Sequence, residues 1–316
     1  MVIRKQFRIS PGSRKVNEFG GKCMALSAMG SGKIKAFAGA FALCAAVLVA
    51  PSALADGPFM EVVCPKTPES ITEITRAEVY AATPFKAGEK STYELSWAGM
   101  KAGYADIEAK SPARHNGLWH RIFSIDAKTG DWFRSVFYGK DQAMAYSRPS
   151  DFAVSKFYIE QYEEPVFKKP FISKKWLDFN HKDCVVNEKT WDPAKGEGSG
   201  SHQLARGAMD ALGAIFYLRT LTYKPGERRR APIYTSEKNW WLEADPVAFE
   251  QVKTPLGEFD AVKLKLRTYL GKVMQQKGDI FIWIATGTRE RQLLQIQGEI
   301  KIGSVWARLI NYQPGR

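Results

Sequence analysis

The chain has 316 residues, 45% of them hydrophobic and 25% charged, with a formal net charge of +13. That composition excludes a disordered chain and a short disulfide-built scaffold, and it leaves room for one large β domain or two small ones. The charge is unevenly placed. The first 55 residues carry eight Lys and Arg against one Glu, so the remaining 261 residues carry only +6, which suits an ordinary soluble protein with a mild preference for anionic neighbours.

Residues 1–55 read as a secretory leader. Lys33 and Lys35 precede the uncharged apolar run Ala36 to Ala50, and Ala53-Leu54-Ala55 supplies the small-residue exit before Asp56. Fifteen apolar residues are too few for a bilayer-spanning helix, which needs roughly 20. Cleavage after Ala55 is expected, with no transmembrane anchor left and a periplasmic destination. The basic stretch before the apolar run is long, and Met24 or Met29 would each start a leader of ordinary length. Cys44 lies within the apolar run, but Leu43 before it is too large for lipoprotein processing, so it reads as apolar filler. Export also argues against a nucleic-acid partner.

Residues 56–83 read as an N-terminal arm, with Pro58, Pro65 and Pro68, a short helix near Ser70 to Tyr80, and Pro84 at its end. Cys64 and Cys184 are the two cysteines beyond the leader. An even pair in an oxidising compartment is expected to form a disulfide, pinning the arm to the body.

From Gly88 onward, residues 84–316 read as one β-rich domain. Tyr93, Leu95 and Trp97 alternate with Thr92, Glu94 and Ser96, a strand pattern. Tyr104 to Lys110 and His120 to Ala127 follow, separated by a turn at Asn116-Gly117. Short turns of this kind favour antiparallel neighbours. Trp132 to Tyr138, Gln142 to Tyr146, Phe152 to Tyr162, Val166 to Ile172 and Lys174 to Phe179 continue in extended form, and Thr190 to Ser201 reads as a glycine-rich loop. Leu204 to Leu221 has apolar residues at helical spacing and predicts one amphipathic helix, stopped by Lys224-Pro225-Gly226. Strands return from Ala231 to Asn311, among them Trp240 to Glu243, Ala248 to Lys253, Ala261 to Leu270 and Gly278 to Ile284.

This order of segments resembles DUF3108, a bacterial family of unknown function. The resemblance rests on Tyr93-Glu94-Leu95-Ser96-Trp97 with Gly99 and Gly103, Asp210-Ala211-Leu212, Tyr217-Leu218-Arg219-Thr220-Leu221, Lys224-Pro225-Gly226, Thr254-Pro255-Leu256-Gly257-Glu258-Phe259-Asp260-Ala261, Ile282-Trp283-Ile284 and Gly303-Ser304-Val305. It implies an exported, all-β envelope protein whose strongly curved sheet rolls into an open barrel or β-spiral, and it brings no established activity. Where such proteins often carry acidic residues after the strand holding Trp283, this chain has Ala285-Thr286-Gly287-Thr288-Arg289, so a role for that acidic turn does not transfer.

Candidate chemistry is sparse. His115, His120, His181 and His202 show no metal-binding spacing, and neither metal nor cofactor is expected. His115 and His120 flank a hairpin turn, where exposure is the ordinary outcome. Gly198-Ser199-Gly200-Ser201 lacks the strand-to-helix context of a nucleophile elbow. Glu94, Asp106, Asp126 and Asp141 fall in or beside strands, and two acids brought together would suffice for glycoside hydrolysis. Arg228-Arg229-Arg230 reads as a solvated basic turn or a contact for lipid phosphates or an anionic glycan. Tyr93 and Trp97 on one strand, and Phe281 and Trp283 on another, are candidates for an aromatic ligand surface. The leading expectation is a non-catalytic periplasmic binding or scaffold protein whose ligand is an envelope lipid, a lipoprotein segment or peptidoglycan. A carbohydrate-active hydrolase and a purely structural partner of another envelope protein are the alternatives.

Overall fold

In the computed structural model the described residues are 64–65, 73–135, 137–165, 169–270, 273–274, 278–299 and 303–316. The expected leader lies outside them. Two antiparallel meanders make one sheet. The first comprises β1 (Glu89–Trp97), β2 (Met100–His115), β3 (Leu118–Thr129), β4 (Phe137–Ser147), β5 (Val154–Pro165), β6 (Phe171–Asn180), β7 (Val185–Asp192) and β8 (Gly196–Gln203). The second comprises β9 (Arg229–Thr235), β10 (Lys238–Thr254), β11 (Gly257–Leu270), β12 (Val273–Met274), β13 (Ile280–Ala285), β14 (Leu293–Glu299) and β15 (Ser304–Gln313). β1 pairs with β15 at the centre, which leaves β8 and β9 as the two edges of the main path. The sheet is strongly curved, an open barrel, as expected.

Alternation explains which side chains face inward. Along β4, Phe137, Asp141, Ala143 and Ala145 are buried, while Tyr138, Lys140, Gln142 and Met144 are not fully covered. The enclosed space is filled by a helix, α1 (Ala211–Thr220), rather than left as a channel. Phe216 of α1 stacks on Phe123 at 3.9 Å between ring centres and meets Phe85 edge-on at 4.9 Å. Leu212, Ile215 and Leu218 are also buried, so the helix is enveloped on most sides. Arg219 is buried too. Its guanidinium donates to both carboxylate oxygens of Glu89, at 2.6 and 3.1 Å, and to the carbonyls of Glu290 and Arg291. The Tyr312 hydroxyl donates to Glu89 at 3.0 Å. This network ties helix, first strand and last strand together.

The helix is shorter than its apolar periodicity predicts. Asp210 caps it, its Oδ1 accepting from the amides of Leu212 and Gly213. Leu204 to Met209 instead form a strap, with a turn at Arg206-Gly207, across the seam between the sheet edges. On one side Leu204 N–H donates to Cys184 and Val154 N–H donates to Ala208; on the other, Met209 N–H donates to Pro232 and Tyr234 N–H donates to Met209. The Asn239 side chain adds bonds to Ala205 and Gln203. The apolar strap residues are buried because they plug the seam, not because they line a helix face.

Three further expectations are corrected. Thr190 to Ser201 is not a loop: Asp192 accepts from the amides of Ala194 and Lys195, making a tight turn from β7 into β8. Trp132 lies in a 3-10 turn, Asp131–Phe133, before β4 begins. The arm carries a succession of turns over residues 76–82 in place of a helix, residues 66–72 lying outside the described residues. Val79, Tyr80 and Phe85 enter the core, and Arg121 donates to the Val79 carbonyl.

Candidate functional site

A recess of about 460 Å³ opens at the end of the first meander. Three connections meet there: the β2–β3 turn, the loop from β4 to β5, and the β6–β7 turn. Asn116 and Gly117, with φ of 49° and 80°, make the tight turn that Asn-Gly favours, and this brings His115 and His120 to one wall. Asp178, Asn180 and Asn187 form the facing wall, with Ser155 and Arg148 between.

The histidines are placed by specific bonds. His120 is buried, against the expectation of exposure, because the β4–β5 loop covers it. Its Nδ1 lies 3.0 Å from the Leu118 carbonyl and so carries the proton, while its Nε2 accepts from the Ser155 hydroxyl at 2.9 Å. Burial pushes its pKa down to about 4, so the ring is neutral at physiological pH. His115 is half-buried, and burial lowers its pKa against the opposing pull of Asp178, 3.5 Å away. The two imidazoles and Tyr146 pack with ring centres 5.8 to 6.4 Å apart. Arg148 is neutralised by Asp151 within its own loop.

The β6–β7 wall is held from behind. Cys64 and Cys184 form the expected disulfide, closing a separation of 120 residues. Arg206 donates to the carbonyls of His181, Lys182 and Pro65. His181 donates from Nε2 to the Val154 carbonyl at 2.6 Å and accepts the Gly207 amide at Nδ1. The wall is therefore preorganised, which lowers the ordering cost of binding. The chemistry it offers is that of amides, a hydroxyl and the Asp178 carboxylate beside imidazole faces, with Lys182 near.

None of the residues singled out in the sequence as ligand contacts reaches this recess. Tyr93 is core, its hydroxyl donating to the Leu293 carbonyl at 2.8 Å. Trp97 packs half-buried against the core at the end of β1. Phe281 and Trp283 share the outer face of β13, with the Lys263 ammonium 4.5 and 4.8 Å from their ring centres. Trp283 is 3% exposed, stacks on Trp306 and donates to Glu250. The arginine run is spoken for: Arg228 approaches Asp245 and Glu243, Arg229 pairs with Glu227, and Arg230 lies over Trp241 and Tyr269.

The four strand carboxylates do not converge. Glu94 pairs with Lys101 and Asp106 with Lys90, and Asp126 stands exposed opposite Asp106. Asp141 alone points inward, beside Glu163 of β5. Burial pushes Asp141 up to about 7, outweighing the Gln161 side chain and Tyr162 backbone, and pushes Glu163 up to about 8, with Asp141 adding to the shift. Both are sealed inside. Among the described residues, no group of three His, Cys, Asp or Glu side chains is placed to hold a metal ion.

A family model described as a protein of unknown function, DUF3108, matches residues 92–310. The chain belongs to the DUF3108 family. Solved structures similar to this DUF3108 protein include a β-barrel-like protein of the DUF1849 family from Brucella abortus, at 9% identity and a TM-score of 0.49, covering 73% of this chain and 99% of that one. A protein described as exported, with a YmcC-like fold, from Bacteroides fragilis shares 11% identity over 73% of this chain and 98% of its own, at a TM-score of 0.29. A protein described as a lipoprotein from Parabacteroides distasonis shares 10% identity over the same two fractions, at 0.28. No curated protein matches the sequence.

Proposed function

We propose that this DUF3108 protein is a non-catalytic binding protein of the periplasm, supporting envelope integrity, and that its ligand is the glycan portion of peptidoglycan, held in the recess between the β2–β3 and β6–β7 turns. The observation that carries this reading is the lining of the recess. Asn116, Asn187 and Asp178 present donors and acceptors, with Asn180 and Ser155 held beside them by Asp183 and His120, and His115 offers a flat ring edge. Sugar hydroxyls need that mixture, and an acyl chain does not. Lys182 on the rim supplies a cation for the peptide carboxylates of a peptidoglycan fragment. A lipid inside the barrel is disfavoured because α1 occupies that space.

Export is supported by the leader and by the disulfide, which suits an oxidising compartment. The hydrolase alternative would need a second carboxylate facing Asp178 across the recess, and among the described residues Asp178 is the single acid on its walls. The test is co-sedimentation of the mature protein with purified peptidoglycan sacculi, with vesicles of anionic phospholipid as the comparison. Binding to sacculi, reduced by Asn187→Ala, supports the reading. Binding to vesicles with none to sacculi overturns it.

A further inference from the structure

A second cavity, of about 150 Å³, lies at the seam of the barrel and shares only Phe179 with the lining of the recess. Its body is apolar, lined by Ala143, Phe157, Ile159, Leu177, Phe179 and Leu212. Its mouth is charged. Lys175 of β6 lies 3.1 Å from Glu188 of β7 and 2.8 Å from Glu237, which stands in the β9–β10 turn across the seam. Burial works against the Lys175 charge, but the two carboxylates outweigh it and hold the ammonium above its usual range.

Two features go beyond an ordinary buried ion pair. First, acceptors outnumber cations. Glu188, Glu237 and Asp210 line the cavity with one lysine between them. Second, polar atoms with no hydrogen-bond partner gather here. Asp210 and Tyr234 are each 3% exposed and line the cavity, and Asp210 Oδ2 and Tyr234 Oη are buried without a partner among the described residues, as is Ser236 Oγ at the mouth. Leaving such groups unmade costs about 1–3 kcal/mol each, so a cluster of them calls for a ligand that supplies donors. Gly200, Gly198 and Gly196 of β8 stand opposite Glu188, Thr190 and Asp192, and His202 on the same face brings its Nε2 to 3.8 Å from Glu188.

We infer that the seam cavity is a binding site for a primary ammonium group carried on a short apolar stem. The ammonium seats among Glu188, Asp210 and the Tyr234 hydroxyl, supplying three donors to an acceptor-rich mouth. The stem fills the apolar body. A cavity of about this size holds a ligand as large as benzene, which limits the stem to about five or six carbons. The site is independent of the glycan recess and of the reading given to it.

The test is isothermal titration of the mature protein with pentan-1-amine, pentan-1-ol and pentanoate. The expected result is saturable one-to-one binding of the amine, with the alcohol and the carboxylate at least tenfold weaker. Glu188→Gln should weaken the amine about tenfold. Ala211→Leu, which fills the cavity from the first turn of α1, should abolish amine binding while the melting transition stays cooperative, and it keeps the test informative if the glutamate variant folds poorly. Equal binding of alcohol and amine, preference for pentanoate, or no binding of the amine to the wild-type protein would each overturn the inference.

Discussion

The barrel interior and the recess at its end are built from the same meander but follow opposite rules. In the interior, Phe123 and Phe216 stack face to face with Phe85 edge-on, and Arg219 is satisfied by Glu89 and two carbonyls. At the recess, strands end in turns with left-handed residues, among them Asn116, Phe152 and Cys184, and polar side chains face open space. Phe152 illustrates the exchange. Its φ of 64° costs strain, and the loop it terminates covers His120 and sets one side of the recess. Around Arg219 each donor is matched, whereas at the recess polar side chains face solvent.

That contrast breaks most visibly at Arg219. Replacing it by Met leaves Glu89 buried without its partner, and chemical denaturation should show a loss of about 3–5 kcal/mol. The Glu89→Gln, Arg219→Met double variant should recover part of that loss, since the uncompensated charge is gone. Next in size is the disulfide. The Cys64→Ser, Cys184→Ser protein should lose about 2–5 kcal/mol and also bind sacculi more weakly, because the β6–β7 wall loses its tether. A stability loss with unchanged sacculus binding would show that Arg206 and His181 hold the wall unaided.

The interior acids give a pH signature of about the same order. Asp141 and Glu163 bind their protons more tightly in the folded state than in the unfolded chain, so the folded state holds more protons between the ordinary carboxylate range and pH 7 to 8. Stability should therefore fall as pH rises from about 5 to 8. Asp141→Asn should flatten that slope and raise the melting temperature at pH 8. The recess should respond differently, since His120 is already neutral throughout that window. The smallest effect belongs to the outer face: Lys101→Ala, which removes the ion pair to Glu94, should change stability by at most about 1 kcal/mol.

Much of the fold was legible in the sequence, because period-two alternation and Asn-Gly or Pro-Leu-Gly turns are local signals. The strap was not. Leu204, Ala205 and Ala208 have helical spacing, and only the cap at Asp210 and the seam they fill explain why they are not helical. The glycines of β8 likewise read as a loop, since an exposed edge strand needs no alternation. The recess was harder still. His115 and Asn187 are 72 positions apart, and only strand order brings their hairpins together. Aromatic residues drew attention in the sequence because they are large, yet Tyr93 and Trp283 spend that size on packing.

The most direct measurement is calorimetric titration of the mature protein with a soluble disaccharide-peptide fragment of peptidoglycan. The account predicts saturable binding that Asn187→Ala weakens about tenfold, with the melting temperature unchanged because Asn187 is exposed. Absence of binding, or binding indifferent to that substitution and to Asn180→Ala, would contradict it.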